Sequence, residues 1–189
     1  MPDLALEPQS PLAGYDREFD GVTLNEVSGL ALVSVAVPMG GRDRLASEIE
    51  SVFGVTLPDV GSSSYSEKGK ARVLGMQRDQ VFIAFEYHGD DAATRIRDKL
   101  RDSGYCNDQS DSWAMLRIAG AGCRRALERI CMLDLDPGSF AIGSVSRTTM
   151  EHLGVIILRD GLNSFLLLSP RSSARSFLHV VETSIINTT

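Results

Sequence analysis

Hydrophobic and polar positions change their period several times along this chain, and each change marks an element. Residues 1–19 hold three prolines, a glycine and scattered charges without any period, which reads as a flexible N-terminal arm. Two β-branched, apolar stretches follow at residues 22–27 and 30–37, separated by Ser28-Gly29, and predict two strands joined by a turn. Met39-Gly40-Gly41 breaks that pattern. Leu45, Ile49, Val52 and Phe53 then recur at i, i+4, i+7 and i+8, one face of an amphipathic helix, with Gly54 placed to cap its C-terminus. Residues 61–70 read as a Ser- and Gly-rich loop. Residues 71–76 and 81–87 predict a hairpin around Arg78-Asp79, and Asp90 is placed to cap a helix that buries Ala92, Ala93, Ile96 and Leu100.

The same order then returns. Residues 113–119 predict a strand, Gly120-Ala121-Gly122 a break, and Cys123, Leu127, Ile130 and Cys131 repeat the i, i+4, i+7, i+8 signature. Further strands are expected near 143–149, 153–159 and 164–169. A final helix should begin near Ser172 or Ser173 with Phe177, Leu178, Val181 and Ile185 inward. The two first helices are offset by 78 residues and the two second helices by 81, so loops differ while elements agree. The pattern predicts an α+β protein built from approximately duplicated β-α-β-β-α units, residues 20–110 and 111–189, packed as one domain with helices on one face of antiparallel-containing sheets.

Composition narrows the function. Of the 25 acidic and 19 basic side chains, 17 and 11 fall at or before Asp102, so the remainder is electrically neutral and its basic residues are all arginine. An all-Arg basic set suits protein or acidic-ligand contact. A net charge of −6 without a basic stripe disfavours nucleic acid. Cys106, Cys123 and Cys131 include no C-x-x-C pair, which argues against a disulfide framework or a thiolate metal site and for a reducing compartment. Residues 1–8 have neither a positive n-region nor an apolar h-region, and apolar runs fall short of the ~20 residues of a membrane helix. Neither a signal peptide nor a membrane span is expected, and the cytoplasm is the expected location.

Candidate chemistry is sparse. His88, His152 and His179 are far apart and in no metal-ligand spacing. Gly120-Ala121-Gly122 resembles the start of a dinucleotide-binding turn, but Arg125 stands at its third glycine position. Asp134 and Asp136 put two carboxylates on one side of an extended segment, a pattern able to do acid/base work or hold Mg²⁺, although Pro137-Gly138 follows at once and favours a solvated turn. Cys123 and Cys131 lie on an apolar helix face, where thiols behave as small hydrophobes.

One segment carries more. Cys131-Met132-Leu133-Asp134-Leu135-Asp136-Pro137-Gly138-Ser139-Phe140 continues through Gly143-Ser144-Val145-Ser146-Arg147-Thr148, residues 155–161, Asn163-Ser164-Phe165 and Pro170-Arg171-Ser172-Ser173-Ala174. This run resembles the γ-subunit family of heterotetrameric sarcosine oxidase. Pro11-Leu12, Gly54-Val55-Thr56-Leu57-Pro58 and Asp111-Ser112-Trp113 fit it more loosely. A departure is Met76-Gln77-Arg78-Asp79, where the family often carries a Gly-Pro-Asp-type turn. The resemblance implies a complex of four different subunits that oxidatively demethylates sarcosine to glycine. It places FAD, FMN, NAD, tetrahydrofolate and zinc in the partner subunits and no cofactor, metal or catalytic residue in this chain. It also implies a fold similar to part of the folate-binding aminomethyltransferase architecture. The partners would be the α, β and δ subunits, chiefly α. Phe140, Arg147, Arg159 and Arg171 are then the candidate interface residues. Two other readings remain: a stand-alone folate-binding one-carbon-transfer protein, in which Asp134 or Asp136 would supply the acid, and a dimerising α+β module.

Overall fold

The computed structural model describes residues 9–188. In chain order the elements are β1 (Asp16–Phe19), β2 (Val22–Glu26), β3 (Leu30–Ala36), α1 (Arg42–Phe53), β4 (Ser63–Ser66), β5 (Ala71–Gln77), β6 (Gln80–Glu86), α2 (Ala92–Lys99), β7 (Tyr105–Asp108), β8 (Trp113–Ala119), α3 (Cys123–Glu128), β9 (Val145–Met150), β10 (Leu153–Gly161), β11 (Ser164–Pro170) and α4 (Ala174–Ile186), with 3-10 turns at Ser110–Ser112 and Arg171–Ser173.

Two wholly antiparallel sheets result. One runs β4-β5-β6-β3-β7 and the other β1-β2-β8-β11-β10-β9. The expected duplication is visible in the order. In each sheet a strand (β3 or β8) leads into a helix (α1 or α3). A meander of three antiparallel strands follows, the last of which (β6 or β11) pairs with that first strand, and a second helix comes after it.

Strand period explains the layering. On β10, Val155 and Ile157 face the core under α3 and α4, whereas Ile156 and Leu158 face the other sheet. On β3, Val33 and Val35 meet α1 and α2 while Leu32 points between the sheets. Each sheet therefore has helices on one face, as expected, and the opposite sheet on the other. That double burial is why these strands read as near-continuous apolar runs. Fully burying side chains such as Phe53 or Phe177 contributes about 1.5–3 kcal/mol each.

Several boundaries differ from expectation for local physical reasons. Of the arm expected to Phe19, residues 1–8 lie outside the described residues, and Asp16–Phe19 is a strand. Asp20-Gly21, with Gly21 at φ 71°, makes a two-residue hairpin with Phe19 opposite Val22. β2 and β3 do not form a hairpin with each other. Both edges of β3 are taken by β6 and β7, and β2 instead covers the open edge of β8, so Ser28-Gly29 passes the chain from one sheet to the other. The N-terminal hairpin thus completes the sheet of the second half. The loop expected over 61–70 contains β4, and β7 was not anticipated; both are polar edge strands without an alternating apolar signal. α3 stops at Glu128 because Cys131 pairs with Met150 in an isolated bridge, which pulls the chain extended. Gly54 does cap α1 in the left-handed conformation, its N–H donating to Glu50 O at 2.8 Å. Asp91, not Asp90, precedes α2, and its carboxylate accepts the Tyr87 hydroxyl.

Candidate functional site

The four residues expected at a partner interface divide into two kinds. Phe140 is 7% exposed and belongs to the core beneath α3 and α4. Arg159, 3% exposed at the end of β10, donates to Phe140 O at 2.8 Å, Leu162 O at 2.7 Å and Gly161 O at 3.4 Å, with its guanidinium over the Phe165 ring. It ties the 140–143 loop to the β10–β11 turn. Both side chains are consumed inside the chain, so neither offers itself to a partner in this conformation; burial of a cation is tolerated here because carbonyl oxygens solvate it.

Arg147 and Arg171 are exposed. Arg147, on the edge strand β9, lies over the rings of Phe82 and Trp113 at 5.4 and 6.0 Å, so its aliphatic stem covers the end of the inter-sheet core and its charge stays in water. Arg171 donates to Gln9 O at 2.7 Å and lies 3.5 Å from Asp111, pinning the N-terminal segment to the start of α4. That segment is held further by Glu26, whose carboxylate accepts from Ser10 Oγ, Leu12 N and Gly14 N at 2.7–3.0 Å. Tyr15 Oη donates to Glu182 at 2.5 Å, and burial, then this bond, push its pKa up to about 12. No sequence signal announced these long-range contacts.

The residues considered for catalysis do not converge. Asp134 Oδ1 accepts from Asp136 N at 3.0 Å and its Oδ2 from Ser139 Oγ at 2.6 Å; the Ser139 bond is the chief reason its pKa is lowered, the wrong direction for an acid or base working near neutrality. Asp136 accepts from Gly138 N at 2.9 Å and pairs with Arg124 at 3.0 Å. The two acids build a turn, as Pro137-Gly138 suggested. Gly120-Ala121-Gly122 is explained by packing: a Cβ on Gly120 would stand 2.2 Å from Gly21 O, and one on Gly122 2.8 Å from Val22 Cγ2. These glycines let β2 approach the end of β8. His88, His152 and His179 are exposed and separate, His152 and Glu151 sitting in the β9–β10 turn at positive φ. All three cysteines are free, and burial raises each thiol, Cys106 to about 11. Among the described residues no cluster of three His, Cys, Asp or Glu could hold a metal, and no helix is long and apolar enough to cross a membrane.

One further arrangement was invisible in the sequence. Arg117 on β8 forks onto Asp160 Oδ2 of β10, through Nε at 3.2 Å and Nη2 at 2.8 Å. Arg72 of β5 lies close enough to feel both charges, at the mouth of a cavity between the sheets.

No family model matches the chain. Over 96% of both chains the fold is similar to a chain of the heterotetrameric sarcosine oxidase from Corynebacterium sp. U-96 in complex with pyrrole 2-carboxylate, with a TM-score of 0.79 at 22% identity. It is also similar to glycine cleavage system aminomethyltransferase T from Bartonella henselae, with a TM-score of 0.62 at 15% identity over 85% of this chain and 45% of that one. In sequence, the sarcosine oxidase subunit gamma of Arthrobacter sp. is 27% identical over 78% of this chain and 71% of its own length. That of Corynebacterium sp. strain P-1 is 32% identical over 80% of this chain and 73% of its own, and the chain accordingly belongs to the sarcosine oxidase γ-subunit family.

Proposed function

We propose that this chain is the non-catalytic γ subunit of a heterotetrameric sarcosine oxidase-type flavoenzyme, in which oxidative demethylation of sarcosine to glycine is carried out by the other subunits. The observation that carries the reading is the fold shared end to end with a chain of a heterotetrameric sarcosine oxidase, together with 32% identity to a γ subunit. The local structure agrees with it: Asp134 and Asp136 are committed to a turn, and the burial-raised thiols have little thiolate to act as nucleophiles. FAD, FMN, NAD, tetrahydrofolate and zinc are then assigned to the α, β and δ subunits, and the complex to the cytoplasm. This chain stabilises the assembly by packing chiefly on α. Arg147 and Arg171 are its exposed contact candidates, and Phe140 and Arg159 support that surface from within.

Expression of the chain alone and together with the products of neighbouring genes tests this. A colourless lone chain that enters a yellow, sarcosine-oxidising complex is the expected result. A lone chain that binds tetrahydrofolate tightly and turns over a methylated amine would establish the one-carbon-transfer reading instead.

A further inference from the structure

The inter-sheet layer is not apolar throughout. On four strands the row of side chains facing the opposite sheet changes from apolar to charged toward the same end: Leu74 gives way to Arg72 on β5, Ala84 to Glu86 on β6, Met115 to Arg117 on β8, and Leu158 to Asp160 on β10. Where the rows change, the sheets leave a cavity of about 170 Å³ with an apolar floor and a charged rim that also includes Lys70. Such a shape, mostly apolar with a few polar groups at one end, is that of a small-ligand site.

The charges on the rim do not cancel. Arg117 pairs with Asp160 through Oδ2 alone, and Asp160 Oδ1 is buried without a hydrogen-bond partner among the described residues. Lys70 and Arg72 have no carboxylate within ion-pair distance among the described residues, and the one remaining acid, Glu86, is exposed. Arg72 is half-buried, and burial is the main reason its pKa falls. Its guanidinium donates a single hydrogen bond, to Ser63 Oγ at 3.2 Å, and stacks over the Tyr65 ring at 5.2 Å. A partly desolvated guanidinium with unused N–H donors, oriented by an aromatic face, is matched by a carboxylate, which it grips with a planar fork. The cavity sets the rest of the ligand, since about 150 Å³ of apolar space holds one six-membered ring.

We propose that the cavity between the two sheets binds a small monocarboxylate with a ring-sized apolar body, its carboxylate held by Arg72 and its body on the Leu74, Met115 and Leu158 floor. The site lies within this chain and does not depend on its role as a subunit. Benzoate is the probe, with benzyl alcohol as its uncharged counterpart, titrated into the purified chain by calorimetry and saturation-transfer NMR. Saturable benzoate binding is expected, with benzyl alcohol at least about tenfold weaker and Arg72→Met reducing benzoate affinity by a similar factor. Ala84→Leu, which fills the cavity, should abolish binding. Thermal melts and circular dichroism establish that each variant is folded, and Arg72→Gln replaces Arg72→Met should the latter not fold. Absence of saturable benzoate binding up to about 10 mM would overturn the proposal, as would equal affinity for benzyl alcohol or binding indifferent to Arg72.

Discussion

Replacing Arg159 by methionine should destabilise the protein far more than loss of any surface charge. The side chain is 3% exposed, and among the described residues no carboxylate neutralises it; three carbonyl oxygens solvate it instead. Two of these bonds, to Phe140 O at 2.8 Å and Leu162 O at 2.7 Å, are short enough to count as strong charge-assisted hydrogen bonds. At about 1.5–3 kcal/mol each they represent about 3–6 kcal/mol of interaction. Methionine preserves the stem packing on Phe165 but leaves the buried Phe140 carbonyl without its donor. Removing a buried cation also returns part of its desolvation cost, so the net loss should be about 2–4 kcal/mol. For a domain of this size that lowers Tm by roughly 4–16 °C. Arg159→Lys should fall between, because a single ammonium cannot reach both carbonyls in the geometry of the fork. Urea unfolding followed by fluorescence of the single tryptophan, Trp113, measures the change. An Arg159→Met variant within about 0.5 kcal/mol of wild type would show that the guanidinium contributes no net stability and that the 140–143 loop is held by its own packing.

Gly120→Ala should cost at least about 2 kcal/mol, since Gly120 has φ 113° and a Cβ there would stand 2.2 Å from Gly21 O, whereas Gly14→Ala, at φ 73° with nothing within 4 Å, should cost only about 1–2 kcal/mol; chemical denaturation of the two variants compares them directly. The Tyr15 hydroxyl is predicted to titrate late. Its folded pKa of about 12 exceeds the ordinary 10.0, so the stability it contributes is complete below pH 10 and is lost as pH rises toward 12. Difference ultraviolet titration of wild type against Tyr15→Phe reads that ionisation, and a midpoint near 10 would contradict the Tyr15–Glu182 contact.

Legibility of the sequence followed burial. Elements with a strong apolar period were found nearly to the residue: β8 over residues 113–119, α1 ending at Gly54, and α4 following Ser172 and Ser173. Strands without that period were not. β4 is Ser63-Ser64-Tyr65-Ser66 and β7 is Tyr105-Cys106-Asn107-Asp108, edge strands whose place is set by backbone pairing to β5 and β3 and not by their side chains. The Asp20-Gly21 hairpin carried a readable signal that the proline-rich opening masked. Candidate interface residues fared unevenly because an arginine's destination is a tertiary property. Arg147 follows Ser146 on a mostly polar edge strand and spreads over the Phe82 and Trp113 rings, whereas Arg159 ends the apolar run Val155-Ile156-Ile157-Leu158 and is threaded into carbonyls. The apolar run before Arg159 marked a buried strand, but nothing local showed that the arginine itself would be buried with it.

The crossing of the N-terminal hairpin changes how the duplication should be understood. A repeat read from the sequence places two halves, packed as one domain, on either side of residue 110. In the fold, Val22 and Leu24 of β2 sit in the core under α3 and α4, and Gly120 is a glycine because Gly21 lies against it. The inter-sheet core draws Leu32, Leu74, Met76 and Phe82 from the first half and Met115, Val145, Ile156, Leu158, Leu166 and Leu168 from the second. Dividing the chain near residue 110 would therefore strip one face from each sheet and uncover the β8 edge in the second piece. Both injuries expose apolar or unpaired backbone surface that neither piece can bury alone. The repeat is thus a property of the topology, while the stabilising surfaces are shared. Of the two exposed arginines that remain candidates for partner contact, Arg147 lies where elements of the two halves meet, over Phe82 and Trp113, whereas Arg171 joins Gln9 of the N-terminal segment to Asp111. A partner engaging Arg147 would bind the seam between the repeats, and so would be recognising the assembled pair of sheets and not either repeat alone.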